Sequence, residues 1–238
     1  KDAIHQYKNN RQANEPSFRF TERALVNFAL DTDEIYMTTR LNGDNTVFLP
    51  FNKGNNGGAG NPSVEGKLKT HYFWEEVLAK DSILEIVHKF VYLEKKEKVS
   101  DEGKKVTKKT MIFPRYHQLD VVREILDHAK ANGPGFKYLV QHSAGSGKTN
   151  SITWLTHRLA ALHDDNNNLI FDGVIVVTDR VVLNDQLQDA IYQLEHKLGL
   201  VAKIKEGSNE LAREMEKGTK IIITTIQTFP FVLDKLAG

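Results

Sequence analysis

The stretch Phe136-Lys-Tyr-Leu-Val-Gln-His-Ser-Ala-Gly-Ser-Gly-Lys-Thr149 decides the fold, because it reads in order as a buried strand, a glycine-turned loop and a helix start. Gly145 and Gly147 lack a Cβ, so the loop can turn with its backbone N–H groups converging and a phosphate can approach them closely. Lys148 adds a charge that reaches β- and γ-phosphates, and Thr149 offers a hydroxyl to Mg²⁺. The helix that starts there directs its positive end at the same point. The candidate set for a nucleoside triphosphate is therefore Ala144, Gly145, Ser146, Gly147, Lys148 and Thr149, with Lys148 and Thr149 as catalytic candidates and Thr149 as the metal ligand.

His142 stands where the full GxxxxGK[ST] pattern has its first glycine, and it reads as a tolerated loop residue. The alternative is a chance GSGKT in a surface loop. Context opposes that: Tyr138, Leu139 and Val140 precede the loop, and Ile152, Leu155, Leu159 and Leu162 follow it near helical spacing.

The 238 residues are 40% hydrophobic, enough to bury a core in one large or two small domains. Lysine and arginine total 32 against 31 acids, so net charge argues for no partner. Without cysteine there is no disulfide framework and no thiolate metal site, which suits a reducing compartment such as the cytoplasm. No apolar run approaches the roughly 18 residues of a membrane span. The first residues resemble no signal peptide, and the absence of an initiating Met suggests a piece of something longer.

Along the chain, the polar segment from Lys1 to Arg11 reads as the remnant of a helix that Pro16 ends. Arg23–Leu30 and Glu34–Leu41 read as a hairpin around Asp31-Thr-Asp33, an acidic turn rather than a metal site. The glycine- and asparagine-rich stretch Asn52–Pro62 reads as a flexible connector. His71–Lys80 and Asp81–Phe90 read as two helices, the second capped by Asp81 or Ser82, with Tyr72, Phe73 and Trp74 in core packing. From Glu94 to Lys109, seven lysines and four acids read as a solvated face with a turn at Asp101-Glu-Gly103. A domain boundary is expected near Met111–Pro114.

Beyond that boundary, a helix from Gln118 to Lys130 leads through the breaker Asn132–Gly135 to the phosphate-loop strand. Gly173–Thr178 and Lys220–Thr225 read as buried strands, with a helix at Asn184–Leu198, a short strand at Ala202–Lys205 and a helix at Asn209–Lys217. Strands alternating with helices imply an α/β domain with a right-handed parallel sheet and the nucleotide at its carboxyl edge.

Arg115-Tyr-His-Gln118, the loop ending at Thr149, Val177-Thr-Asp-Arg180 and Ile223-Thr-Thr-Ile-Gln-Thr228 resemble, in this order, the motifs of superfamily-two helicase motors. Thr178-Asp-Arg180 with Leu183, Asp185 and Gln186, together with Phe48–Gly54 and Gly57–Pro62, resembles the motor (R, or restriction) subunit of type I restriction-modification enzymes. The resemblance implies residues 1–110 as the rear part of a nuclease-like α+β domain with its connector, and 111–238 as the first part of a RecA-like ATPase domain. It implies ATP and Mg²⁺, with Gln118 reading adenine and Tyr116 or Arg115 packing on the base; an amide can both donate and accept, as adenine requires. It also implies double-stranded DNA along Thr178, Arg180, Thr225 and Gln227, methyltransferase and specificity subunits as partners, no membrane, and a bacterial or archaeal cytoplasm.

The nuclease carboxylates of that family would lie before Lys1, and only Gln6 matches the glutamine that follows them, with Asn10 where a tyrosine is expected. Its Walker B acids and second motor lobe would lie beyond Gly238, so the chain is expected to bind nucleotide better than it turns it over. Two other readings are a phosphotransferase of the small-kinase type, for which Arg180 and Arg213 make a poor lid, and a nucleotide-binding interaction module without catalysis.

Overall fold

In the computed structural model, which describes residues 2–99, 103–179, 181–194, 200–204 and 207–228, the apolar runs sort into two units, Lys1–Leu119 and Asp120–Gly238. The strand Lys105–Ile112 runs through the boundary expected at 110, and the division falls at 119, inside a helix.

The first unit begins with α1 (Asp2–Asn9) and the hairpin of β1 (Asn27–Leu30) and β2 (Ile35–Thr38), to which β3 (Leu49–Pro50) adds antiparallel. The turn is closed by its first acid: Asp31 Oδ1 accepts from the backbone N–H of Asp33 and of Glu34, both at 2.9 Å. These two bonds favour the ionised carboxylate and hold its pKa below the ordinary value. Behind the sheet lies an aromatic cluster, with Phe28 edge-on to Phe73 at 4.7 Å and Tyr72 edge-on to Tyr116 at 5.1 Å. Each such pair contributes about 0.5–1.5 kcal/mol beyond the area buried. Tyr72 is fully buried and its hydroxyl donates to Phe51 O at 2.6 Å; burial pushes its pKa up. Of the three adjacent aromatics only Trp74 stays exposed.

Two expectations for this unit fail. The glycine-rich stretch is not a slack connector, because two amide side chains tie it down. Asn61, 4% exposed, accepts from Lys53 N at 2.8 Å and donates to Asp33 O and Asn52 Oδ1, and Asn52 Oδ1 accepts from Ile35 N at 2.8 Å. Within it Asn56 and Gly57, at φ 48° and 78°, form a two-residue turn bounded by reciprocal Asn55 and Gly58 bonds. The second failure is the helix cap. A π-helical turn at Phe73–Val77 precedes α2 (Lys80–Glu85), whose cap residue is Ala79 without a side-chain bond. Ser82 instead donates to Val77 O at 3.0 Å, and Asp81 sits in the first turn.

The chain then continues through the π-helical Ile86–Phe90 into β4 (Tyr92–Val99) and β5 (Lys105–Ile112), a two-stranded antiparallel ribbon. Of the turn expected there, Asp101 and Glu102 lie outside the described residues.

Helix α3 (Tyr116–Asn132) spans the division. The second unit holds α4 (Lys148–Ala160), β6 (Val174–Thr178), α5 (Val181–Gln193), β7 (Val201–Lys203), α6 (Ser208–Glu216) and β8 (Ile221–Thr225). The strands form a parallel sheet in the order β6-β8-β7 among the described residues. Alternation builds its core: Ile221 and Ile223 pack with Leu187 and Ile191 of α5, while Ile222 packs on the other face with Leu211 and Ala212 of α6.

The run Phe136–Val140 is the main correction. It is not a strand; Leu139 is 95% exposed and Phe136, Tyr138 and Val140 are 41–53% exposed. A strand in a parallel sheet owes its burial to hydrogen-bonded neighbours, and among the described residues none pairs with this run. The stripe expected on the next helix also faces elsewhere. α4 buries Trp154, Thr153 and Thr156 in the core, and Ile152, Leu155 and Leu159 line a cleft.

Candidate nucleotide-binding site

The loop from Ser143 to Gly147 turns as its glycines require: Gly145 at φ 74° and Gly147 at φ 83° are both left-handed, a region in which a side chain is strained. Gly147 is the N-cap of α4 and, as a glycine, makes no side-chain cap bond. Helix starts leave backbone N–H groups to be satisfied by something, and an anion does it with the favourable end of the helix dipole. Lys148 Nζ donates to His142 O at 3.0 Å and Ser143 O at 2.9 Å, so the ammonium lies over the loop it belongs to. His142 therefore serves through its carbonyl here. Ala144, Gly145, Lys148 and Thr149 are exposed, Gly147 is half-buried and Ser146 is buried. Left-handed glycines, a helix start with glycine at its cap, an ammonium and a hydroxyl form a donor set that fits a triphosphate with a divalent cation.

Lys148 and Thr149 open onto a cleft of about 650 Å³ between the apolar stripe of α4 and strand β6. Its lining continues along Val174–Thr178 to Asp179. At that end the parallel register sets Thr178 beside Thr225, the last residues of β6 and β8. Gln227 is drawn to the same edge, with Nε2 donating to Asp179 O at 3.2 Å and Ile226 N donating to Thr178 O at 2.8 Å. Three of the four sequence candidates for the DNA track thus meet on one edge; the fourth, Arg180, lies outside the described residues.

Asp179 and Thr228 belong to this edge as well; both lie within the quoted motifs, but neither is among the four candidates for the DNA track. Thr225 and Thr228 bring their hydroxyl oxygens within 3.2 Å, and the signal that could have found them is the ladder, since residues just past two paired strands are neighbours.

Arg115 and Gln118 lie in the first unit. Gln118 is 2% exposed, and its Oε1 accepts from Arg115 N at 2.8 Å. That is the returning half of a capping box: the third residue of a helix satisfies the backbone N–H just before its first. The Arg115 guanidinium is half-buried, which draws its pKa below the usual value while leaving it charged at neutral pH. Among the described residues no helix is long and apolar enough to cross a membrane.

No curated protein and no solved structure matches the chain. A family model does: that of the SWI2/SNF2 ATPase covers residues 117–236, which take in the phosphate loop, the cleft and the paired ends of β6 and β8. With half of its length matched, the chain belongs to the SWI2/SNF2 ATPase family, helicase-like ATPases of superfamily two.

Proposed function

We propose that the chain is part of the ATP-driven motor subunit of a type I restriction-modification enzyme, in which ATP bound at the phosphate loop drives movement on double-stranded DNA. The observation that carries this reading is the single cleft running from Lys148 and Thr149 to Thr178 and Asp179, which gives a nucleotide and a polyanion track a shared wall. The family supplies the ATPase chemistry. The choice of a restriction motor rests on the order of the motifs and on the upstream Phe48–Gly54 and Gly57–Pro62 stretches. On this reading residues 111–238 are the first part of a RecA-like domain, residues 1–110 are the rear of a nuclease-like domain with its connector, and the partners are methyltransferase and specificity subunits.

Each residue then has a task. The N–H groups at the start of α4 hold phosphate oxygens. Lys148 exchanges its loop carbonyls for β- and γ-phosphate oxygens, a gain in charge complementarity. Mg²⁺, when bound, neutralises phosphate charge, and Thr149 would hold it. Gln118 reads adenine with its amide, which can both donate and accept. Thr178, Thr225 and Gln227, with Arg180, contact DNA phosphates, which positions a motor without reading sequence.

Calorimetry of ATP-Mg²⁺ binding tests the nucleotide site. Lys148→Ala should weaken it by about 1.5–3 kcal/mol, the worth of hydrogen bonds to a charged group. Equal affinities would remove Lys148 from the site. In a chain extended through the second motor lobe, hydrolysis should rise with any duplex DNA; hydrolysis indifferent to DNA would end the translocase reading.

A further inference from the structure

The ribbon β4–β5 has no role in the function proposed above. Its base is anchored by Tyr92 and Met111, both 8% exposed, but from Lys95 to Val99 and from Lys105 to Lys109 the residues whose burial is described are exposed. Among the described residues no third strand joins it. A two-stranded ribbon exposed on both faces is marginal by itself in water. This one also sets like charges directly opposite each other, Lys95 against Lys109 and Lys96 against Lys108, which disfavours the pairing further. Because facing pairs alternate sides, Lys96 and Lys108 lie on one face, and Lys95, Lys109 and Lys105 lie on the other. Against these five lysines the two strands carry two acids, Glu94 and Glu97. Glu94 engages Lys96 at 2.8 Å, and Glu97 reaches Lys105 only at 3.7 Å with both side chains more than 70% exposed.

We infer that this ribbon is a second DNA contact, separate from the nucleotide cleft, that enters the major groove of B-form duplex and holds the phosphates on both walls. The argument is geometric. A flat anionic surface such as a membrane would engage the lysines of one face and leave the other in water, whereas a groove presents negative charge to both faces. The major groove of B-DNA, about 12 Å wide and 8.5 Å deep, admits a two-stranded ribbon. The exposed half, five residues at about 3.4 Å each, is long enough to reach its floor. The deep, narrow major groove of A-form RNA does not admit side chains in this way. Bound phosphates would also relieve the lysine–lysine opposition. The contact is assigned to the lysines and the phosphates on the groove walls, which positions the duplex without carrying sequence information.

The test is binding of the full chain to fluorescent 30-base-pair duplexes of unrelated sequence, without nucleotide, across a salt series. Replacing Lys95, Lys96, Lys108 and Lys109 together by Gln should weaken binding about tenfold or more and lower the slope of log affinity against log salt by about 3. Lys→Arg at the same four positions should restore both. Glu97→Lys should strengthen binding and steepen the slope, which keeps the inference testable if the quadruple Gln variant melts early. Unchanged affinity and slope in both the Gln and the Glu97 variants would overturn it. So would a loss confined to one sequence, or wild-type binding to phosphatidylserine vesicles in preference to duplex. Nucleotide affinity is measured separately: a chain that binds no ATP but holds duplex through these lysines would refute the nucleotide site and support the ribbon.

Discussion

Strand β8 and the run Phe136–Val140 carry the same signal, a short apolar stretch between polar breakers, and the fold treats them oppositely. Ile221, Ile222 and Ile223 are 0–2% exposed; Leu139 is 95% exposed. The difference lies in their neighbours. β8 is the middle strand, bonded to β6 on one side and β7 on the other, and covered by α5 and α6. Among the described residues no strand pairs with the run before the phosphate loop, which meets helix side chains such as His128 of α3, edge-on to Phe136 at 4.9 Å. Hydrophobicity makes a strand possible, and a partner on each edge turns it into core.

The sharpest way to break this comparison is to shorten a side chain in each region. Ile223→Ala should destabilise the second unit by about 2–5 kcal/mol, from lost burial and the cavity left behind. Leu139→Ala should stay within about 0.5 kcal/mol, as exposed substitutions do. Urea unfolding of both variants decides the matter: a Leu139 loss rivalling that of Ile223 would mean the run is buried in solution.

A medium effect is expected where a polar side chain replaces a missing partner. Gln118→Ala removes the bond to Arg115 N and should lower stability by about 0.5–1.5 kcal/mol. It should also erode the preference for ATP over GTP. Both readouts come from one variant. A stability loss with an unchanged nucleotide ratio would leave Gln118 as a cap alone.

The smallest effect belongs to the β1–β2 turn, where partners lie next door in sequence. Asp31 has its folded pKa lowered, so its contribution is present above the unfolded value near 3.9 and is lost as pH falls through the lower folded one. Asp31→Asn keeps the turn bonds but not the charge. It should flatten the acid side of the stability–pH curve by a few tenths of a kcal/mol, since the group is exposed to solvent screening. An unaltered curve below pH 4 would show that the unfolded chain lowers the Asp31 pKa equally.

These effects track how far each feature could be read in the sequence. The hairpin and the β6, β7 and β8 strands were legible because pattern and partner coincide: short β-favouring or continuous apolar runs, turn residues between the hairpin strands, and helices between the parallel ones. The phosphate loop was legible because only glycine fits its left-handed positions cheaply. The burial of α4 was not. Its core face is built from Trp154 together with Ser151, Thr153 and Thr156, three residues whose hydroxyls mark them as polar in any apolar count, while the leucines that set the period face the cleft. The meeting of Thr178, Thr225 and Gln227 was only half legible. The strand ends could be read, but their side-by-side register is a long-range pairing that no local pattern contains.

The two amides of the glycine-rich stretch settle where this chain will accept foreign sequence. Between Asn56 and Gly57 the backbone only turns, and the exposed link there is the place for an inserted tag or epitope. A few residues to either side the same insertion would pull Asn52 or Asn61 away from Ile35 N, Lys53 N and Asp33 O, and the hairpin would lose its clasp. Composition marks all eleven residues as equally dispensable; for an engineer only the two at the tip are.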